Sequence, residues 1–301
     1  MRWVRDYKPE PEKGRLFRRA LIITLAGNIV LAVTKAIAAR LSGSAALFAD
    51  AANSVSDVAY SVMMVLGLWM AQRPPDIGHP QGHSRFEPLV GLMVTFSMAF
   101  AGYEAARNSI ERFVVGGETI QMGLPVFVLL FAAAVKAGMF GSIRSIAKKV
   151  DSPTLSTTAA DNLSDVLTSA AAFVGILGSS LWPVLDPIAG IVVAVWIFRA
   201  VYNAGKENLK FLTGAGASEE TRQQIVEVAE KVPGVLRVHH MMTDYVGPKL
   251  VIELHVNMDG AMTLSEAHLV SDEITRRLQE LPDVDRAYVH IEPDGWEDEK
   301  P

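Results

Sequence analysis

No cysteine occurs in the 301 residues. That excludes disulfide cross-links and thiolate metal sites, and leaves any metal chemistry to His, Asp, Glu, Asn or backbone oxygen. Positive charge is also short. With 28 Lys and Arg against 33 Asp and Glu, the net charge is −5 and the isoelectric point is near 5.8. That balance argues against nucleic acid as the main partner, and no nucleic-acid motif appears. Charge of either sign makes up only 20% of the chain, whereas 50% is hydrophobic and the mean hydropathy is +0.24. A soluble chain of this length is less apolar, so membrane spans are expected, with room left for a soluble part.

The apolar windows predict six spans, at about 18–40, 44–70, 86–108, 124–146, 155–178 and 183–203. The first apolar run begins near Ala20, after seven Lys or Arg residues, and is about 20 residues long, enough to cross a bilayer and be retained as a span. Six spans put both termini on one side. Arg2, Arg5, Lys8, Lys13, Arg15, Arg18 and Arg19, then Arg73 and Arg85, then Arg144, Lys148 and Lys149, then Lys206 and Lys210 all fall on that side. The opposite loops hold little beyond Arg40, Arg107 and Arg112. The positive-inside rule therefore makes the termini cytoplasmic, in a multi-pass protein of the cell membrane.

Histidine is missing from every predicted span, yet acid is present. Asp161 and Asp165 stand four apart in the fifth span, and Asn53 and Asp57 repeat that spacing in the second. Residues four apart share a helix face. A charge at membrane depth costs at least about 2.5–3.5 kcal/mol on insertion scales, so acids paired on one stripe call for a cation, a proton or a partner. The four side chains offer only oxygen, which suits Mn²⁺ or Mg²⁺, and Asn in place of His withholds a ligand that favours Zn²⁺. Without metal they would form a polar seam hydrogen-bonded across helices. Lys136, deep in the fourth span, requires a buried carboxylate partner or a water-filled cavity. Asp186 and Pro187 read as the cap and first turn of the sixth span.

The seven histidines lie in the loop at 73–87, as His79 and His83, and after residue 214, as His239, His240, His255, His268 and His290. Prolines and glycines in the loop exclude a continuous helix. The part from residue 214 reads as helix 218–232, strand 235–243, a Gly247-Pro248 turn, strand 249–257, helix 264–281 and strand 287–292. Thr263 and Glu266 form a capping box. In the second strand, Leu250, Ile252, Leu254 and Val256 alternate with Val251, Glu253 and His255, which predicts a small α+β sheet with one covered face. The acidic residues 296–301 are expected to fray.

Together the six spans, the Asn53-x-x-x-Asp57 and Asp161-x-x-x-Asp165 pairs, the His79-Pro-x-Gly-His83 loop and the α-β-β-α-β tail resemble the cation diffusion facilitator family. The Asn-Asp-Asp-Asp set resembles its manganese branch. The resemblance covers nearly the whole chain. It implies a homodimeric divalent-cation/proton exporter with a metallochaperone-like cytosolic domain, not an enzyme. It further implies a transport site at Asn53, Asp57, Asp161 and Asp165, and a loop site at Asp76, His79 and His83. A cytosolic site at His239, His255, His268, His290 and Glu292 is the third implication. Relatives that carry Zn²⁺, Fe²⁺ or Cd²⁺ keep those ions open as cargo, and a non-transporting membrane-anchored metal sensor or scaffold is the rival from another class. Some relatives lock their dimer with an ion pair between the position of Arg85 and an acid after the sixth span. Residues 210–217 contain no acid, which leaves Arg85 to Glu87 or Asp76.

The site also implies how export would be driven. Crowded carboxylates repel one another, so metal and protons compete for the same oxygens, and alternating access then couples outward metal to inward proton movement.

Overall fold

The computed structural model describes residues 3–5, 10–42, 45–115, 124–178 and 184–295. Arg2, Lys8, the first residues of the predicted second and sixth spans, and the acidic end 296–301 lie outside them. The chain divides into two compact units, Met1–Leu209 and Lys210–Pro301.

The first unit carries α1 (Pro11–Ser42), α2 (Ala45–Ala71), α3 (Phe86–Val115), α4 (Leu124–Val150), α5 (Pro153–Gly178) and α6 (Leu185–Leu212), the last ending in the second unit. Most run past the predicted spans. Lys, Arg and Glu are good helix formers, so a helix continues beyond the apolar stretch that hydropathy detects. Proline opens α1 at Pro11 and α5 at Pro153, where its missing N–H is no loss. Asp186 lies inside the first turn of α6 and does not precede it, because the helix begins at Leu185. Gly214, at φ +69°, ends α6, and the Ala215 N–H closes the turn on the Lys210 carbonyl at 3.0 Å.

Among the described residues, five of the six helices are long and apolar enough to cross a membrane. The sixth, α5, has the length at 26 residues but is diluted by acids and hydroxyls. Its buried polar side chains satisfy themselves on the preceding turn: Thr157, Thr158, Asn162 and Ser164 donate to the carbonyls of Pro153, Thr154, Thr158 and Ala160 at 2.8–2.9 Å. Such back-bonding lets a polar helix sit among apolar ones. A tight turn joins α4 to α5. Asp151 takes the left-handed conformation at φ 50° that Asp tolerates, and the Ser152 hydroxyl accepts from the Leu155 N–H at 3.1 Å.

One apolar cluster ties the helices together at the end of the bundle that holds this turn. Phe17 and Leu21 of α1, Met64 and Leu68 of α2, Val90 of α3, Ile143 and Ile146 of α4 and Leu155 of α5 are buried in it. Helices approach closely where glycine allows. A Cβ on Gly91 of α3 would stand 2.0 Å from Asn208 Oδ1 of α6, and one on Gly67 of α2 would stand 2.1 Å from Val90 Cγ2.

The second unit holds α7 (Glu219–Glu230), β1 (Val235–Val246), β2 (Lys249–Met258), α8 (Leu264–Gln279) and β3 (Val284–Pro293). The sheet order is β1-β2-β3, with β1 antiparallel and β3 parallel to β2. A parallel neighbour needs a crossover, and α8 supplies it. Its capping box at Thr263 and Glu266 forms as expected. Leu250, Ile252, Leu254 and Val256 are fully buried in a core shared with Ile225 of α7 and Ile274 and Leu278 of α8. His255, on the alternate set, faces the other way.

Candidate metal centres

In the first unit the acids of two helices converge on the lysine of a third. Lys136 Nζ of α4 lies 2.7 Å from Asp165 Oδ2 of α5 and 3.6 Å from Asp57 Oδ2 of α2. The lysine side chain is 7% exposed, against 39% and 29% for the two acids, so its ammonium is the most enclosed charge of the three. Asp161 is close enough for its charge to act on Lys136, Asp57 and Asp165. Asn53 lies one turn before Asp57 on α2 and is exposed. The carboxylate partner that a buried Lys136 demanded is thus present twice over.

Sequence reasoning missed the supports around this cluster. Asn28 of α1 donates to Ser61 Oγ at 2.7 Å, and Ser61 donates to the Asp57 carbonyl at 2.7 Å, which fixes the turn of α2 that carries Asp57. Lys35 of α1 pairs with Asp50 of α2 at 2.7 Å, and its charge also acts on Asp57. The signal was available. Asp50, Asn53 and Asp57 follow i, i+3, i+7 spacing and form a single polar stripe.

The loop residues Asp76, His79 and His83 come together, with one ligand atom from each within 4.8 Å of the others. His79 Nδ1 is 3.5 Å from Asp76 Oδ1, and His83 Nε2 is 3.4 Å from Asp76 Oδ2. The loop organises itself: the His79 backbone N–H donates to Asp76 Oδ1 at 2.7 Å and holds that carboxyl below its ordinary range. His83 is buried against the ring of Phe86, and its Nδ1 has no hydrogen-bond partner. Glu87, one of the two acids left for Arg85, accepts from the Ser152 hydroxyl.

In the second unit the site is made by a register shift. Val238 pairs with Val256 and His240 with His255, so His239 is an extra residue in β1, a bulge. A bulge turns two consecutive side chains toward one partner. The rings of His239 and His240 accordingly stand 5.7 and 4.9 Å from that of His255. His290 pairs with His255 across the parallel ladder, and Glu292 follows two residues later on the same face. Glu292 is 3% exposed, with Oε1 3.0 Å from His255 Nδ1 and Oε2 2.9 Å from His239 Nε2. The second approach is close but not aligned as a hydrogen bond. Glu292 Oε2 and both ring nitrogens of His239 therefore remain buried without one. Buried polar atoms are normally paired, so converging unpaired donors of N and O type fit a cation.

His239, His255 and Glu292 each offer an atom within 4.8 Å of the others. His290 is adjacent, at 3.5 Å from Glu292 Oε1. His268 is not brought to the cluster. It sits on α8 with a side chain 72% exposed, 3.6 Å from Asp272. Its helix packs on the opposite face of the sheet, which spacing along the chain could not reveal.

Two family models match the chain: the cation efflux transmembrane domain over residues 21–213 and the cation efflux protein cytoplasmic domain over residues 217–294. The chain belongs to the cation diffusion facilitator family. This facilitator is 33% identical over 280 residues to the uncharacterized transporter MJ0449 of Methanocaldococcus jannaschii, covering 92% of this chain and 99% of that one. It is 30% identical over 276 residues to the manganese efflux system protein MneS of Bacillus subtilis, covering 90% and 94%. A solved structure of a MamM-CTD variant, 26% identical, covers 26% of this chain and 98% of its own, with a TM-score of 0.25. The facilitator is a multi-pass membrane protein and a transporter of divalent metal cations.

Proposed function

We propose that this facilitator exports Mn²⁺ from the cytoplasm in exchange for protons, as a homodimer in the cell membrane with both termini cytoplasmic. Asn53, Asp57, Asp161 and Asp165 hold the ion. One observation carries the reading: acids from α2 and α5 meet around a single buried cation, the Lys136 ammonium, so the bundle already gathers oxygen donors about a positive charge. The donor set is hard and contains no imidazole or thiolate, which favours Mn²⁺ over ions that gain from softer ligands. The likeness to a protein named for manganese efflux supports the same choice. Protons are the natural counter-ions, since a carboxylate that has released its metal is the group that takes one up.

The clusters outside the spans serve sensing in this reading. His239, His255, His290 and Glu292 in the cytosolic unit, and Asp76, His79 and His83 in the loop, mix nitrogen with carboxylate. Those mixed donors give the Zn²⁺ or Fe²⁺ reading its support, because imidazole suits those ions. A mere anchored sensor would have no use for three acids and a lysine at membrane depth. Flux into proteoliposomes decides among them. Mn²⁺ uptake that exceeds that of Zn²⁺, Fe²⁺ and Cd²⁺, and that collapses without a pH gradient, is the expected result. Faster Zn²⁺ uptake, or no uptake of any ion by reconstituted protein, would overturn the proposal.

A further inference from the structure

An ammonium cannot ligate a metal, yet Lys136 stands where the metal's oxygens are. Its Nζ contacts Asp165 Oδ2 at 2.7 Å and lies 3.6 Å from Asp57 Oδ2, bridging the acids of α5 and α2. A hard dication needs those same oxygens at roughly 2.0–2.6 Å. The Oδ2 atoms that Lys136 holds are not free to close on an ion at that range, and both cations draw on the same negative charge, so ion and ammonium compete for the carboxylates. Lys136 is 6% exposed, and the remaining charges near it are Asp161 on α5 and, acting on Asp57 from α1, Lys35. Its flexible stem lets the ammonium shift between the two carboxylates.

We propose that Lys136 is a tethered competing cation: it occupies Asp57 and Asp165 whenever metal does not, and keeps the site's affinity low enough for metal to leave. This rests on the reading of Asp57, Asp161 and Asp165 as transport ligands. Three carboxylates around one dication would otherwise hold a surplus of negative charge and release it slowly. A carrier site must bind strongly enough to load and weakly enough to unload. Lys136 performs the second task by returning to its acids as the metal departs. The role requires only a fixed positive charge.

The test uses purified full-length protein, Mn²⁺ titration calorimetry in detergent and Mn²⁺ flux in proteoliposomes. Lys136→Met removes the charge at similar length and should tighten Kd by about tenfold, with KM and maximal flux both falling. Lys136→Gln, which keeps a hydrogen-bond donor beside the acids, should do the same, and serves if the methionine variant does not fold. Lys136→Arg should keep Kd within about threefold of the parent. A residue that only holds the helices together would lower stability without tightening metal binding. Folded Met or Gln variants that bind Mn²⁺ no tighter than the parent overturn the proposal, as does an Arg variant that tightens like Met. Asp57→Ala and Asp161→Ala separate the two readings: if both bind Mn²⁺ like the parent, the ligand assignment itself fails. If they lose binding while the lysine variants stay unchanged, only the competing-cation role fails.

Discussion

Glu292→Gln isolates the cytosolic cluster, because one carboxylate touches His239, His255 and His290 at 2.9, 3.0 and 3.5 Å and is almost fully enclosed. The substitution keeps shape and removes the anionic donor. Loss even of a residue supporting a ligand weakens metal affinity by about 10–100-fold, so loss of the ligand should cost about a hundredfold or more. For a fragment of residues 210–301, which has its own core, metal at 100 times Kd stabilises the fold by about 2.7 kcal/mol. In a domain of this size that raises Tm by roughly 10–20 °C. At the same metal concentration the variant, with Kd now equal to that concentration, gains only about 0.4 kcal/mol, or roughly 2–3 °C. Differential scanning fluorimetry with Mn²⁺, with Zn²⁺ and with chelator reads the shift within each variant, so any intrinsic change in stability cancels. Imidazole must be neutral to coordinate, so the parent's shift should shrink in acid. Equal metal shifts in parent and variant would refute the site. Light scattering should show the parent fragment moving toward dimer with metal if the site lies between protomers.

Asp57→Ala, Asp161→Ala and Asp165→Ala should each abolish metal flux in proteoliposomes while leaving folded protein by size-exclusion chromatography, and near-normal flux in two of the three would remove them as ligands. Asn53→His introduces a nitrogen donor and should raise Zn²⁺ flux relative to Mn²⁺; an unchanged ratio takes Asn53 out of contact with the ion. Glu273 is held down to about 2 by hydrogen bonds from Arg276 and Arg277. Its depressed value means a contribution to stability that is present above the unfolded value of about 4.5 and lost as pH falls from there toward 2. Glu273→Gln should therefore lower the fragment's Tm at pH 7, with the gap closing by pH 2, and a gap independent of pH would contradict the ion pairs.

Local rules in the sequence determined a good deal here. Six long helices, the capping box at Thr263 and the alternation of Leu250, Ile252, Leu254 and Val256 follow from hydropathy, side-chain chemistry and the two-residue period of a strand, each a property of neighbours in the chain. The unusual cost of charge at membrane depth marked Asp57, Asp161, Asp165 and Lys136 for the same reason. What only tertiary structure decided was which of these meet. Lys136 reaches Asp165 and Asp57 because α4 packs where it can present an ammonium to both α5 and α2, a matter of helix rotation that composition does not encode. The extra residue at His239 turns two adjacent histidines onto one face, against the alternation that a regular strand would impose. His268 shows the converse. Its residue type matched the cluster, but α8 crosses the covered face of the sheet and leaves it in solvent, because the strand pairing and its connection, not distance along the chain, set what a side chain can touch.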